Sequence, residues 1–287
     1  MSNSLAYWVH DWDPFLIQFS ENLGIRYYGL AYLSGFLIAV LLFRTYWSNK
    51  RTPIGPELQG DFIFAAIIGV LVGGRFGYFL FYEPATLLQE PATLFRIWDG
   101  GMASHGGFIG VFLGVVWVCR KRRVSLLHAG DIITSLAPAG LMFGRIANFI
   151  NGELWGKVSL VPWAVIFPES APGLPPTEVP PRHPSQLYEA ALEGLILLVY
   201  TQWRVWKSPV MARQPGRLAG EFLILYAVGR VAAEQFREPD VGISLIFGLS
   251  RGSVLSLVIV ALGVTVLVFS RRQRGKNDVQ SKKAGTG

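Results

Sequence analysis

From Gly252 to Ser270 the chain carries no charged side chain at all. An uncharged apolar run of about 20 residues is the length a helix needs to cross a bilayer core. Six further segments come close to it, at about 28–47, 61–82, 102–119, 130–151, 186–206 and 218–237. The pattern predicts an all-α, polytopic membrane protein with about seven transmembrane helices, arranged as a single helical domain over residues 1–270. Composition agrees. Hydrophobic residues make up 51% of the chain and charged residues 16%, with a mean hydropathy of +0.38. A soluble chain carries about 25% charged residues. The single cysteine, Cys119, cannot form an internal disulfide. The first residues, MSNSLAYWVHDWDPF, have no cation ahead of an apolar run, so no cleavable leader is expected.

The cations order the segments. Lys50 and Arg51 follow the first, Arg120–Arg123 the third, and Arg204, Lys207, Arg213 and Arg217 surround the end of the fifth. Arg271, Arg272, Arg274, Lys276, Lys282 and Lys283 follow the seventh. Most of the 26 Lys and Arg thus fall on one side. The positive-inside rule makes that side cytoplasmic and places the N-terminus outside. The C-terminus is then cytoplasmic, with a basic tail over 271–287 expected to be disordered there. The net charge of +7 needs no nucleic acid, since this basic face meets anionic lipid. The external segment 157–185 is rich in proline and is expected to form an irregular loop or cap.

Three arginines lie within segments: Arg75, Arg145 and Arg230. Each costs about 2.5–3.5 kcal/mol at a helix centre on insertion scales, so such residues usually face a polar cavity and mark function. At 1.5 Å per residue, Arg145 lies about 21 Å from Asp131, which puts it in the outer half of the membrane. Arg145, Asn148, Asn151 and Gly152 share a helix face that Glu153 continues outward, and Arg230 and Glu234 are adjacent at i, i+4. Glu234 is expected to hold Arg230 and leave part of its donor fork free. A guanidinium fork matches phosphate oxygens in two-point contact. The spacing therefore points to a phosphate-bearing lipid or another anion, and leaves an enzyme and a transporter both open. Arg75 has two readings, a ligand contact or a brace for nearby carbonyls. His105, beside two glycines, reads from spacing alone as a structural residue as readily as a catalytic one. His183 is expected to cap the helix after it or bind water. No nucleotide loop, paired-cysteine site or other metal motif is present, so neither a cofactor nor a metal is expected.

The stretch Gly144–Gly156, GRIANFINGELWG, resembles the signature of the bacterial prolipoprotein diacylglyceryl transferase family. So do RYYGLAY around Tyr28, GGRFGY around Arg75, GGMASHGG around His105, HPSQLYEA at 183–190 and GRVAAEQFREPD at 229–240. Together they span about residues 24–270. One position departs, Ala147, where the family often has Gly. The resemblance implies transfer of an sn-1,2-diacylglyceryl group from phosphatidylglycerol to the lipobox cysteine of a prolipoprotein, with glycerol 1-phosphate leaving. It implies Arg145 and Arg230 as phosphate binders, with Asn148, Asn151, Glu153 and Gly156 shaping the pocket. Tyr28 becomes a hydrogen-bond donor, Glu234 orients Arg230, Arg75 adds to substrate binding, and His105 is the proposed base. The partners are phosphatidylglycerol and prolipoprotein signal peptides, and the protein is expected to act as a monomer.

Overall fold

A computed structural model describes residues 7–19, 24–96, 101–238 and 250–284. The described residues are mostly helical. All seven apolar segments form helix: α1 (Tyr27–Ser48), α2 (Pro56–Phe81), α4 (Ser104–Arg122), α5 (Leu126–Ile150), a continuous run over 185–207, α9 (Arg217–Glu234) and α10 (Arg251–Ala284). Shorter helices are α3 (Pro84–Gln89) and α8 (Val210–Arg213). Among the described residues, four helices are long and apolar enough to cross a membrane: Tyr27–Ser48, Pro56–Phe81, Leu126–Ile150 and Gly252–Arg274. α10 does not stop at residue 270 but continues as helix to Ala284. The chain falls into two compact units, residues 43–130 and the remainder.

Residues 43–130 are built on α2 and α4. Their contact is lined by glycine on both sides: Gly69, Gly73 and Gly77 from α2 face Gly106 and Gly110 from α4. A Cβ added at Gly69 would sit 2.6 Å from the Gly110 carbonyl carbon. Small residues at a spacing of four let two helices touch backbone to backbone, which is how helices associate where water provides no hydrophobic drive. Arg75 is buried on α2, and its guanidinium donates to the carbonyls of Leu94 (3.3 Å), Gly101 (3.2 Å), Thr93 (2.6 Å) and Arg96 (2.6 Å). It thereby ties down the connection that leads into α4. At the other end of these helices Arg122 Nε donates to Asp61 Oδ2 at 2.6 Å.

In the other unit, α9 packs on α10, where a Cβ at Gly220 would meet Leu267 Cγ at 2.6 Å. α1 and α5 approach closely at Gly35, 2.8 Å (as a built Cβ) from Gly140 Cα. The Asp131 carboxylate, fully buried on α5, accepts the backbone N–H groups of Gly216 and Ala219 at 2.8 Å each. It satisfies amides that the start of α9 leaves without intrahelical partners. Strand β1 (Trp8–Val9) pairs in parallel with β4 (Val165–Ile166), and β2 (Phe15–Gln18) pairs antiparallel with β3 (Gly24–Arg26). The β1–β4 pair belongs to an irregular cap, since β4 lies within 157–185. Its Val165 and Phe167 bury against Phe149 in the last turn of α5.

Candidate active site

The helical run over 185–207 is not uniform. α6 (Ser185–Glu189) passes into a π-helical stretch, Ala190–Leu195, before α7 (Ile196–Lys207) resumes α geometry. Such wide turns are rare and frequently mark functional sites. Here the turn carries Glu193, and Glu189 immediately precedes it. Two glycines bring neighbours in close. A Cβ at Gly194 would stand 2.5 Å from Met142 Cβ on α5, and one at Gly229 on α9 would stand 3.2 Å from the Leu192 carbonyl. Glu193 is thus held between α5 and α9, beside Arg145 and Arg230.

The result is a buried ionic cluster. Glu189 is 1% exposed and Glu193 0%. Arg145 Nε reaches Glu189 Oε2 at 2.8 Å, and Arg145 Nη2 lies 3.7 Å from Glu193 Oε2. Arg230 Nη1 is 3.2 Å from both Glu189 Oε2 and Glu193 Oε1, while its Nη2 meets Glu234 Oε2 at 2.9 Å. Arg237 Nη1 completes the set at 3.3 Å from Glu189 Oε1. Three guanidiniums face three carboxylates, so the formal charges cancel. Glu234 does hold Arg230, but it does not hold it alone. Glu189 and Glu193 occupy much of the fork that spacing left open, because they arrive from a helix distant in sequence. Glu189, Glu193 and Arg237 were not singled out from the sequence. The one signal the sequence offers for the two glutamates is a pair of carboxylates four residues apart within an apolar segment, in LYEAALEG.

Next to the cluster, the turn after α5 folds back on itself. Gly152 and Leu154 both adopt left-handed backbone, at φ 66° and 57°. Between them, Glu153 Oε1 accepts Asn148 Nδ2 at 2.7 Å and Asn151 Nδ2 at 3.4 Å. Gln186 Nε2 donates to the Glu153 carbonyl at 2.6 Å, and Ser185 Oγ to the Leu154 carbonyl at 3.1 Å. The HPSQ segment therefore clamps the NGEL turn. Gly156 stands where three strands of chain meet: its N–H donates to the His183 carbonyl at 2.9 Å, and an added Cβ would lie 2.5 Å from the Phe236 carbonyl oxygen. Its role is close backbone approach. The Tyr28 hydroxyl pairs with that of Tyr32 at 3.1 Å.

His183 does not cap α6, whose start has no side-chain cap. Its Nδ1 lies 3.1 Å from the Tyr188 hydroxyl, which accepts Trp163 Nε1–H at 2.7 Å. Burial, reinforced by the positive charge of Lys157, holds His183 below the ordinary histidine range. His105 and Arg75 both belong to residues 43–130. His105 opens α4 and is exposed, whereas Arg75 spends its donors on the carbonyls named above. Among the described residues, no three His, Cys, Asp or Glu side chains are grouped to hold a metal ion.

A family model described as prolipoprotein diacylglyceryl transferase matches residues 14–269. The chain belongs to that family. Its relatives include proteins named phosphatidylglycerol–prolipoprotein diacylglyceryl transferase in several bacteria. The one from Zymomonas mobilis is 43% identical over 250 residues, covering 87% of this chain and 85% of the relative. That from Rhizobium meliloti is 42% identical over 267 residues, covering 90% and 92%. That from Nitrosomonas europaea is 42% identical over 281 residues, covering 96% of each chain. The matched region contains the whole buried cluster, from Arg145 to Arg237.

Proposed function

We propose that this protein transfers the diacylglyceryl group of phosphatidylglycerol to a prolipoprotein. The observation that carries this is the match to the transferase family over nearly the whole chain, together with relatives of that name at about 40% identity. A transporter of anionic lipid is not favoured. The acceptor is the lipobox cysteine. Its thiol has an ordinary pKa of about 8.5 and reacts as thiolate. The sulfur attacks the glyceryl carbon that bears the phosphate oxygen. A carbon–sulfur bond forms, the carbon–oxygen bond breaks, and its electron pair leaves with glycerol 1-phosphate. The thiol proton passes to a base, for which His105 is the candidate. No enzyme nucleophile is required.

Charge builds on the phosphate as the carbon–oxygen bond breaks. Preorganised guanidiniums in a site of low dielectric stabilise such charge, by about 2.7–4 kcal/mol per donor in comparable sites. Arg145 and Arg230 supply them. Glu234 orients Arg230. Asn148, Asn151, Glu153 and Gly156 shape the turn above the cluster, and Tyr28 offers a hydroxyl. Arg75 acts through the loop it braces. Seven spans, an external N-terminus and a cytoplasmic C-terminus put this site towards the outer face of a bacterial inner membrane, with the protein acting as a monomer.

The test uses purified protein, phosphatidylglycerol with a labelled diacylglyceryl group, and a lipobox peptide. Label on the peptide thiol supports the reading. Movement of labelled lipid across proteoliposomes without any thiol product overturns it. An unchanged rate in His105→Gln removes His105 as the obligatory base.

A further inference from the structure

A phosphate site made only of arginines would be strongly positive, and this one is neutral. Carboxylates already stand against the groups that would bind a phosphate oxygen: Arg145 Nε is ion-paired to Glu189 at 2.8 Å, and Arg230 Nη1 lies 3.2 Å from Glu189 and donates to Glu193 at 3.2 Å. The two carboxylates are 1% and 0% exposed, so they cannot swing into water when a ligand enters. They remain as fixed negative charge beside whatever the arginines hold.

We propose that Glu189, backed by Glu193, is a fixed countercharge that limits how tightly the two arginines grip phosphate and so speeds departure of the phosphate product. This rests on the transferase reading above. The substrate phosphodiester carries one negative charge, whereas the phosphate monoester product carries about 1.5–2 at neutral pH. Two unopposed guanidiniums would hold the product more tightly than the substrate, and product release would stall turnover. Carboxylates on the same donors weaken the product's hold more than the substrate's, because repulsion scales with the ligand's charge. Glu189 is thus a positioning residue, acting through Arg145 and Arg230.

The experiment compares the full-length chain with Glu189→Gln and Glu193→Gln in detergent micelles. It measures binding of glycerol 1-phosphate by calorimetry, and kcat and KM for phosphatidylglycerol. We expect each variant to bind glycerol 1-phosphate at least about tenfold more tightly, with a lower KM and a lower kcat limited by release. Unchanged or weaker glycerol 1-phosphate binding by folded variant overturns the proposal, and a purely structural role gives that result. If Glu189→Gln does not fold, Glu193→Gln carries the same prediction. Tighter binding in a protein that transfers nothing sinks the transferase reading and leaves the countercharge standing. Active wild type with unaltered binding in the variants sinks the countercharge alone.

Discussion

Replacing Arg230 by Met keeps an unbranched apolar stem, two atoms shorter, and removes the charge. In the native site Arg230 contacts Glu189 and Glu193 at 3.2 Å and Glu234 at 2.9 Å. After the replacement, three carboxylates face Arg145 and Arg237 only, and one negative charge is left over. Since Glu189 and Glu193 are almost wholly buried, water cannot solvate it. Removing one partner of a buried ion pair costs about 3–5 kcal/mol. Loss of one donor to developing phosphate charge should slow transfer by about 10²–10³-fold. The double replacement Arg230→Met with Glu193→Gln separates the effects, because it restores neutrality without restoring the donor. Thermal unfolding in micelles and peptide labelling report the two quantities. We expect Arg230→Met to lose both, and the double variant to recover most of the stability while transfer stays at least about 10²-fold down. Recovery of activity in the double variant would refute the argument that Arg230 acts on the phosphate. Equal stability of Arg230→Met and wild type would refute the buried-cluster energetics.

Further expectations follow from other contacts. Gly156→Ala should cost about 1–3 kcal/mol, since its Cβ meets the backbone carbonyls of Phe236 and His183, and unfolding temperatures will register it. Gly110→Leu should force α2 and α4 apart, lowering the unfolding temperature, whereas Ile109→Leu on the exposed face should leave it unchanged. Asp131→Asn removes the charge that accepts two amides at the start of α9 and should cost about 0.5–2 kcal/mol in the same assay. Burial keeps His183 neutral, so its folded pKa lies below the unfolded value of 6.5. The unfolded chain then binds the extra proton as pH falls through 6.5, and stability drops there. Substitution of His183 by Gln should flatten that part of the pH–stability curve, and an unaltered curve would remove His183 as its source.

Much of the fold is legible in the sequence because the bilayer imposes one requirement on every span. The seven apolar segments all become helices, six of them with ends within about five residues of their expected places, while α10 runs on past residue 270 to Ala284. The site is legible where partners are neighbours. Arg230 and Glu234, or Asn148 and Glu153, are close along the chain, and periodicity or a turn brings them together. It is illegible where partners are distant. Glu189 meets Arg145 and Arg230 only because Gly194 and Gly229 allow their helices into contact, and neither glycine announces its neighbour. The π-helical turn at Ala190–Leu195 leaves no pattern in the sequence either. Arg75 carries two readings in the sequence, a ligand contact and a brace for nearby carbonyls. A charge deep in an apolar segment suggests a ligand, yet four carbonyls of its own loop satisfy its donors.

The central claim is that Arg145 and Arg230 together hold the phosphate of phosphatidylglycerol. A structure of the protein with that lipid bound tests it most directly. The account predicts phosphate oxygens within about 2.7–3.2 Å of both guanidiniums, with Glu189 and Glu193 still buried behind them. A phosphate bound elsewhere, with Arg145 and Arg230 paired only to Glu189 and Glu193, would contradict it.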